Sequence, residues 1–156
     1  MKLIFPVAEI AITQGYHSGY AIDLGTISGH EKNQPILACA DGVVYKIQKQ
    51  TLGGNVLFIL HDNGWLSCYA HCKTISVKVG DKVTCGQQIG VKGNTGKSAN
   101  GKKLAVHLHF GIWKNKKYIN KKTKSTMIPI LDYLFMADNQ ITSKTTAKKY
   151  DLLKYG

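Results

Sequence analysis

Two histidines stand two positions apart in Leu104-Ala-Val-His-Leu-His-Phe-Gly-Ile-Trp113. The stretch is rich in Val, Phe, Ile and Trp and free of Pro, so it reads as a β-strand. Residues two apart on a strand face the same way. That puts His107 and His109 on one face, and Leu108 and Phe110 on the other, a core-like face. Paired imidazoles on a stiff element can hold a metal ion and move a proton side by side. Three more residues answer to them: His17 and Asp23, which flank the Gly19 loop entering a strand, and His71, which ends Tyr69-Ala-His71. Two histidines and one aspartate as ligands leave a fourth zinc position open to water, the pattern of a catalytic rather than a structural site. Two further histidines then supply acid–base chemistry beside it. Taken singly, Asp23 reads as a turn carboxylate and His71 as a half-buried strand histidine. Their joint occurrence points to a site. His30 and His61 read as ordinary surface residues, and Tyr16 and Tyr20 as core or rim packing.

The elements that must position these residues are short strands. Residues 3–12 give one or two extended pieces. Thr13 to Gly19 reads as a Gly-punctuated loop running into a strand at Tyr20–Leu24, and Gly25–Pro35 as a polar loop. Ile36–Ala40, Asp41-Gly42 and Val43–Gln48 read as strand, tight turn and strand, since Asp-Gly favours a hairpin. Val56–His61 and Trp65–His71 follow, joined by the turn Asp62-Asn-Gly64. Val77–Val91 holds two short strands around a Gly-Asp turn, and 128–135 forms a closing helix or turn. Recurrent short strands with turns between them predict an all-β fold of sandwich or barrel type. Gly93-Asn-Thr-Gly-Lys-Ser98 superficially looks like a phosphate loop. Position 91 is Val where that loop needs Gly, and a strand rather than a helix follows, so it is not one. With no repeat and no linker, the expectation is one domain over 1–137. A polar, Lys-rich tail occupies 138–156, with a helix near Ala147–Tyr155.

Hydrophobic residues make up 44% of the 156, Gly is frequent (16) and Pro scarce (3), a turn-rich globular composition. The formal net charge is +12, and all 21 basic residues are lysine. A chain without Arg lacks the fork for bidentate phosphate or guanine recognition, so no specific nucleic-acid reading is expected. A diffuse Lys surface suits an anionic cell-wall polymer, or serves simple solubility. No apolar run is long enough to span a membrane. Lys2-Leu-Ile-Phe is broken by Pro6 and Glu9, so the expectation is synthesis in the cytoplasm without a signal peptide. The four cysteines would then stay reduced. Strand parity sets Cys68 and Cys72 opposite Tyr69 and His71, which makes them buried structural thiols rather than zinc ligands.

The ordered set of motifs resembles the lysostaphin/LytM-type zinc metallopeptidases of bacterial peptidoglycan. It runs through Phe5-Pro6, His17 to Asp23, Ala40-Asp-Gly-Val-Val44, Tyr69-Ala-His71, Val77-Lys-Val-Gly-Asp-Lys-Val83, Gly86-Gln-Gln-Ile-Gly90, Gly93-Asn-Thr-Gly96 and His107-Leu-His-Phe110. The resemblance implies an antiparallel β-sheet groove of the duplicated hybrid motif type. It implies zinc held by His17, Asp23 and His109, with His71 and His107 as the catalytic pair that orients and deprotonates water and stabilises the tetrahedral intermediate. Peptidoglycan is the implied substrate, in stem peptide or cross-bridge, with groove loops at 25–35 and 114–125 choosing the bond. One departure is the spacing: five residues separate His17 from Asp23 where the family has three. A loop absorbs two extra residues, and His30 is the fallback ligand. The rival implied by the same family is a catalytically inactive LytM-like module that binds wall or activates another hydrolase. The half-motif at Val77–Gly90 also resembles lipoyl and biotinyl carrier domains, but the carrier lysine's tripeptide is absent. Without a leader or a wall-binding domain, the sequence is expected to be a phage protein that acts on the cell wall. It would be carried in the virion or tail or released by a holin-type route, or else be a fragment of a larger lysin.

Overall fold

A computed structural model of the chain describes residues 1–27, 29–30 and 32–136. The predicted helix near Ala147–Tyr155 and the tail from 138 lie outside the described residues. The fold is all-β. Among the described residues nine strands run as β1 (Ile12–His17), β2 (Ala21–Leu24), β3 (Pro35–Leu37), β4 (Gly42–Gln50), β5 (Gly54–His61), β6 (Leu66–Ile75), β7 (Lys82–Val83), β8 (Gln88–Lys92) and β9 (Leu108–Trp113), followed by the short helix α1 (Ile130–Met136). The antiparallel path is β1-β2-β9-β6-β5-β4-β7, with β8 pairing β6 and β3. Among the described residues no helix is long and apolar enough to cross a membrane.

Alternation decides which face of this sheet does chemistry. On β9, Leu108, Phe110 and Ile112 are fully buried in the main core, beside Ile22 and Leu24 of β2 and Tyr69 of β6. The opposite face carries a smaller apolar layer of Val56, Phe58, Cys68, Ala70, Trp113 and Met127. That second layer is the floor of the groove described below. Helix α1 closes the main core with Ile130, Leu131 and Leu134, and the Tyr16 hydroxyl accepts the Leu131 N–H at 2.9 Å, tying β1 to it. Both tyrosines therefore pack as expected, Tyr16 edge-on to Tyr20.

Three local expectations are corrected. Residues 12–17 are a strand, not a loop: β1 and β2 form a tight hairpin whose turn is Ser18-Gly19 at φ +48° and +86°. The Asp41-Gly42 hairpin does not form. β3 pairs with β8, whereas β4 pairs with β5 and β7, because Ala38, Cys39 and Ala40 are all buried without alternation and carry the chain through the core between layers. In the 77–91 region the strands are β7 and β8, joined by a turn at Thr84–Gln87 in which Gln87 N–H bonds Thr84 C=O at 2.9 Å. β9 itself begins at Leu108, with His107 held just before it by a bridge to Gly93.

Candidate metal centre and active site

Strand register brings the site together. Asp23 of β2 sits directly opposite His109 of β9, and His109 sits opposite Ala70 of β6. The β1–β2 hairpin then returns His17 to within one turn of Asp23, because His17 pairs with Ala21 across a bulge. The five-residue spacing is thus a folded hairpin rather than slack loop. His109 Nδ1 lies 3.0 Å from Asp23 Oδ1, His17 Nε2 lies 3.2 Å from the same oxygen, and the two ring nitrogens are 3.2 Å apart. These three groups form a cluster with the spacing of metal ligands. His30 does not join them. It pairs with Glu9 at 3.0 Å on the surface.

His17 Nδ1 lies 2.8 Å from the Gly15 carbonyl. A carbonyl only accepts, so Nδ1 carries the proton and Nε2 offers a lone pair toward Asp23 and His109. The His17 Nε2 lone pair and the Asp23 carboxylate oxygen, 3.2 Å apart, repel one another unless a proton or cation lies between them. The donor set of two imidazoles and one carboxylate suits zinc, and the Gly15 bond fixes the His17 tautomer as an outer-shell partner does in metal sites. Electrostatics agree. Burial opposes the Asp23 charge, yet hydrogen bonds from His109 and His17 hold its carboxyl well below the usual range. Burial pushes His17 down, but its bonds to Asp23 and Gly15 outweigh this and raise it; for His109 burial wins and the ring is lowered.

His71 and His107 stack beside the cluster with ring centroids 4.6 Å apart, and His71 is 6.1 Å from the His109 ring. His107 Nδ1–H donates to Ala105 C=O at 2.8 Å, leaving Nε2 facing the cluster, 3.9 Å from Asp23 Oδ1. His71 Nδ1–H donates to Thr95 C=O at 2.8 Å. Its backbone is left-handed, at φ +63°, a costly conformation for a non-glycine residue. A bulge explains it: three steps along β6, from Tyr69 to Cys72, oppose two along β5, from Leu57 to Asn55. This bulge also corrects the expected parity. Cys68 lies on the groove layer with Ala70, whereas Cys72 has flipped into the main core with Tyr69. Cys68 and Cys72 are nonetheless buried free thiols, with burial pushing both up to about 12.

What anchors His71 escaped the sequence reading. Thr95 Oγ1 donates to Cys72 C=O at 2.8 Å and accepts Asn55 N–H at 3.1 Å, so one side chain clamps the bulge from both strands. The loop can come that close only because both sides lack a Cβ: one on Gly54 would collide with Thr95, and one on Gly96 with Leu52 and Gly54. The available signal was the pair of turn motifs Gly53-Gly-Asn55 and Gly93-Asn-Thr-Gly96. His61 is likewise not a surface residue. It is 3% exposed, with Nδ1–H donating to Asp41 C=O at 2.7 Å and the Nε2 lone pair 2.8 Å from Ser67 Oγ, in a buried network with Tyr69 and Cys39. It lies under the sheet, apart from the site.

Cluster and stack open onto one groove of about 620 Å³. Its walls come from residues 97–104 and 119–122, not from 25–35, whose described residues do not reach it. The sequence pattern of Peptidase family M23 matches residues 15–121, which includes His17, Asp23, His71, His107 and His109.

The chain belongs to peptidase family M23.

Among relatives of this M23 domain, peptidoglycan DD-endopeptidase ShyA of Vibrio cholerae is 35% identical over 98 residues, 62% of this chain and 20% of that protein. The murein hydrolase activator NlpD of Escherichia coli is 39% identical over 90 residues, 57% of this chain and 22% of that protein. The catalytic domain of lysostaphin from Staphylococcus simulans superposes with a TM-score of 0.60 at 26% identity, over 79% of this chain and 88% of that one. The chain thus spans only about a fifth of the length of ShyA and NlpD. A zinc-containing peptidase from Vibrio cholerae superposes with a TM-score of 0.61 at 27% identity, over 72% of this chain and 36% of that one, and the all-β fold implied by the lysostaphin/LytM resemblance is the one observed.

Proposed function

We propose that this M23 domain is a zinc metalloendopeptidase hydrolysing a peptide bond of bacterial peptidoglycan. The observation that carries this reading is the convergence of His17, Asp23 and His109 on the floor of an open groove, with His71 and His107 stacked beside them. His17 Nε2, Asp23 Oδ1 and His109 Nδ1 would hold the zinc. When bound, zinc supplies Lewis acidity toward water and toward a carbonyl oxygen.

The rest of the chemistry belongs to the chain. His71 is kept neutral by burial, its ring pushed down to about 4. With Nδ1–H spent on Thr95, its Nε2 lone pair is the base that takes the water's proton and returns it to the leaving amine. His107, oriented by Ala105, holds the attacking water through its Nε2 lone pair and, on taking the water's second proton, donates Nε2–H to the carbonyl oxygen as charge develops there before that proton leaves with the product carboxyl. Phe58 and Trp113 keep the floor apolar, which strengthens those interactions. The lysine surface would meet anionic wall polymers.

The similarity to NlpD favours a second reading, an inactive module that activates a wall hydrolase. Degenerate modules lose ligands, whereas this chain has residues at all five positions. Cross-linked soluble muropeptides distinguish the two. Cleavage that a chelator abolishes and zinc restores is expected; wall binding without cleavage after zinc repletion would favour the activator.

A further inference from the structure

The two walls of the groove have an unusual charge. Residues 97–104 hold three lysines and 114–125 hold six, nine of the chain's 21, and no aspartate or glutamate lies between Asp81 and Asp132. Inside the groove the carboxylate is Asp23, and both of its close partners are histidines of the cluster. Among the described residues, every ion pair involves a histidine and none a lysine.

Most lysines on the 114–125 wall face elsewhere or are parked. Lys116 lies over the Tyr45 ring at 5.7 Å, Lys117 over Tyr118 at 4.9 Å and Lys124 over Tyr20 at 5.6 Å. Lys122 instead lines the groove, as does Lys97 on the other wall. Neither backbone is slack. Trp113 Nε1–H bonds the Lys121 carbonyl at 2.9 Å, and Thr126 Oγ1 donates to the same oxygen. The Lys122 carbonyl carbon packs so close to Gly19 that a Cβ there would meet it at 3.1 Å, which seats Lys122 against the hairpin tip carrying His17. Lys97 N–H bonds Leu52 C=O at 3.1 Å in the β4–β5 turn, beside the anchor of His71. In the sheet order β2-β9-β6-β5, Lys122 therefore stands on the His17 flank and Lys97 on the His71 flank.

We infer that the groove selects an anionic peptide, with free carboxylates within a residue or two of the cut bond on both sides, taken by Lys122 and Lys97. This rests on the peptidase reading and narrows its substrate to carboxylate-bearing stem peptide, in preference to an uncharged oligoglycine bridge. A strand of substrate lying across β2, β9 and β6 passes one lysine before the site and the other after it. Two lysines lining a groove whose one acid, Asp23, is already engaged by His17 and His109 have an unmet demand that a substrate carboxylate satisfies by charge-assisted hydrogen bonds.

The test uses matched synthetic peptides that differ only in carboxylate against carboxamide at those positions, plus pentaglycine. Each is assayed for KM, kcat and calorimetric binding to the zinc-loaded wild type and to Lys122→Gln, Lys97→Gln and the double variant. The expected result is about tenfold tighter binding or lower KM for the carboxylate peptide, the scale of one hydrogen bond to a charged group. Each single variant should weaken that preference and the double variant erase it, with kcat little changed. Lys116→Gln, on the same loop but parked on Tyr45, should behave as wild type. Equal use of the carboxamide peptide or of pentaglycine by wild type overturns the inference, as does a preference that survives in the double variant. So does competition by a poly(glycerol phosphate) with no carboxylate effect, which would mean general polyanion docking. Carboxylate-dependent binding, lost in the double variant, without cleavage of any peptide would leave the inference standing and refute the peptidase reading.

Discussion

Thr95 offers the most quantitative perturbation of the site. Thr95→Val keeps the side chain's shape and removes its hydroxyl. Two hydrogen bonds are lost, to Cys72 C=O and from Asn55 N–H. Cys72 C=O keeps the Asn55 Nδ2 bond at 3.0 Å, so the Asn55 N–H is the group left bare. Two net hydrogen bonds and one orphaned donor amount to about 2–3 kcal/mol, or roughly 5–10 °C in Tm for a domain of this size. The larger effect should be kinetic. The Thr95 carbonyl orients His71, whose left-handed backbone has no strand geometry of its own to fall back on. A ring displaced by a fraction of an ångström to 1 Å should cost about 10- to 100-fold in kcat. KM and zinc content should be unchanged. Thr95→Ser, which retains the hydroxyl, should recover most of the rate. Rate by peptide hydrolysis, metal by elemental analysis and the His71 tautomer by nitrogen NMR follow the three consequences separately. Full activity in Thr95→Val with an unchanged His71 tautomer would refute the clamp.

Two further outcomes are expected. Burial pushes His71 down to about 4 in the folded chain from the ordinary value of 6.5, and burial lowers His61 as well. Depressed folded values mean that the unfolded chain binds protons more readily, so this stability is complete above pH 6.5 and drains as pH falls toward 4. The urea midpoint of the metal-free protein should drop across that window, and a flat midpoint would contradict the assignment. Replacing Cys68 and Cys72 together by Ala should lower stability by about 1–3 kcal/mol through lost packing and leave zinc content unaltered. Loss of zinc in that double variant would mean a thiol reaches the metal.

How much was legible differs by residue. The face shared by His107 and His109, with Leu108 and Phe110 behind, followed directly from the period of two, and the structure keeps it because β9 is central and unbulged from Leu108 onward and a bridge to Gly93 holds His107 in line just before it. Parity failed on β6, where one bulged position at His71 sent Cys68 and Cys72 to different layers. A bulge is set by its partner strand and by Thr95, neither of which is local to Tyr69-Ala-His71. The Asp41-Gly42 hairpin failed for a related reason. Turn chemistry was right for a hairpin, but the buried run Ala38-Cys39-Ala40 had already committed the chain to crossing the core. His61 looked exposed because its environment comes from Ser67, Asp41 and Cys39, brought together only by pairing β5 with β6 on one side and β4 on the other. The groove wall at 97–104 was missed because residues rich in Gly, Ser and Lys carry no periodicity to place them.

The central claim is that five residues divide into a metal-holding set and a proton-handling pair, and four alanine variants test it. After zinc repletion, His109→Ala and Asp23→Ala should lose metal and activity together, with some loss of stability because metal binding is linked to folding. His71→Ala and His107→Ala should retain about one zinc per chain while hydrolysis falls by about 100-fold or more. Zinc content measured beside hydrolysis rate sorts the four variants into those two groups. A metal-free His107→Ala alongside a zinc-loaded His109→Ala would invert the assignment and contradict the account.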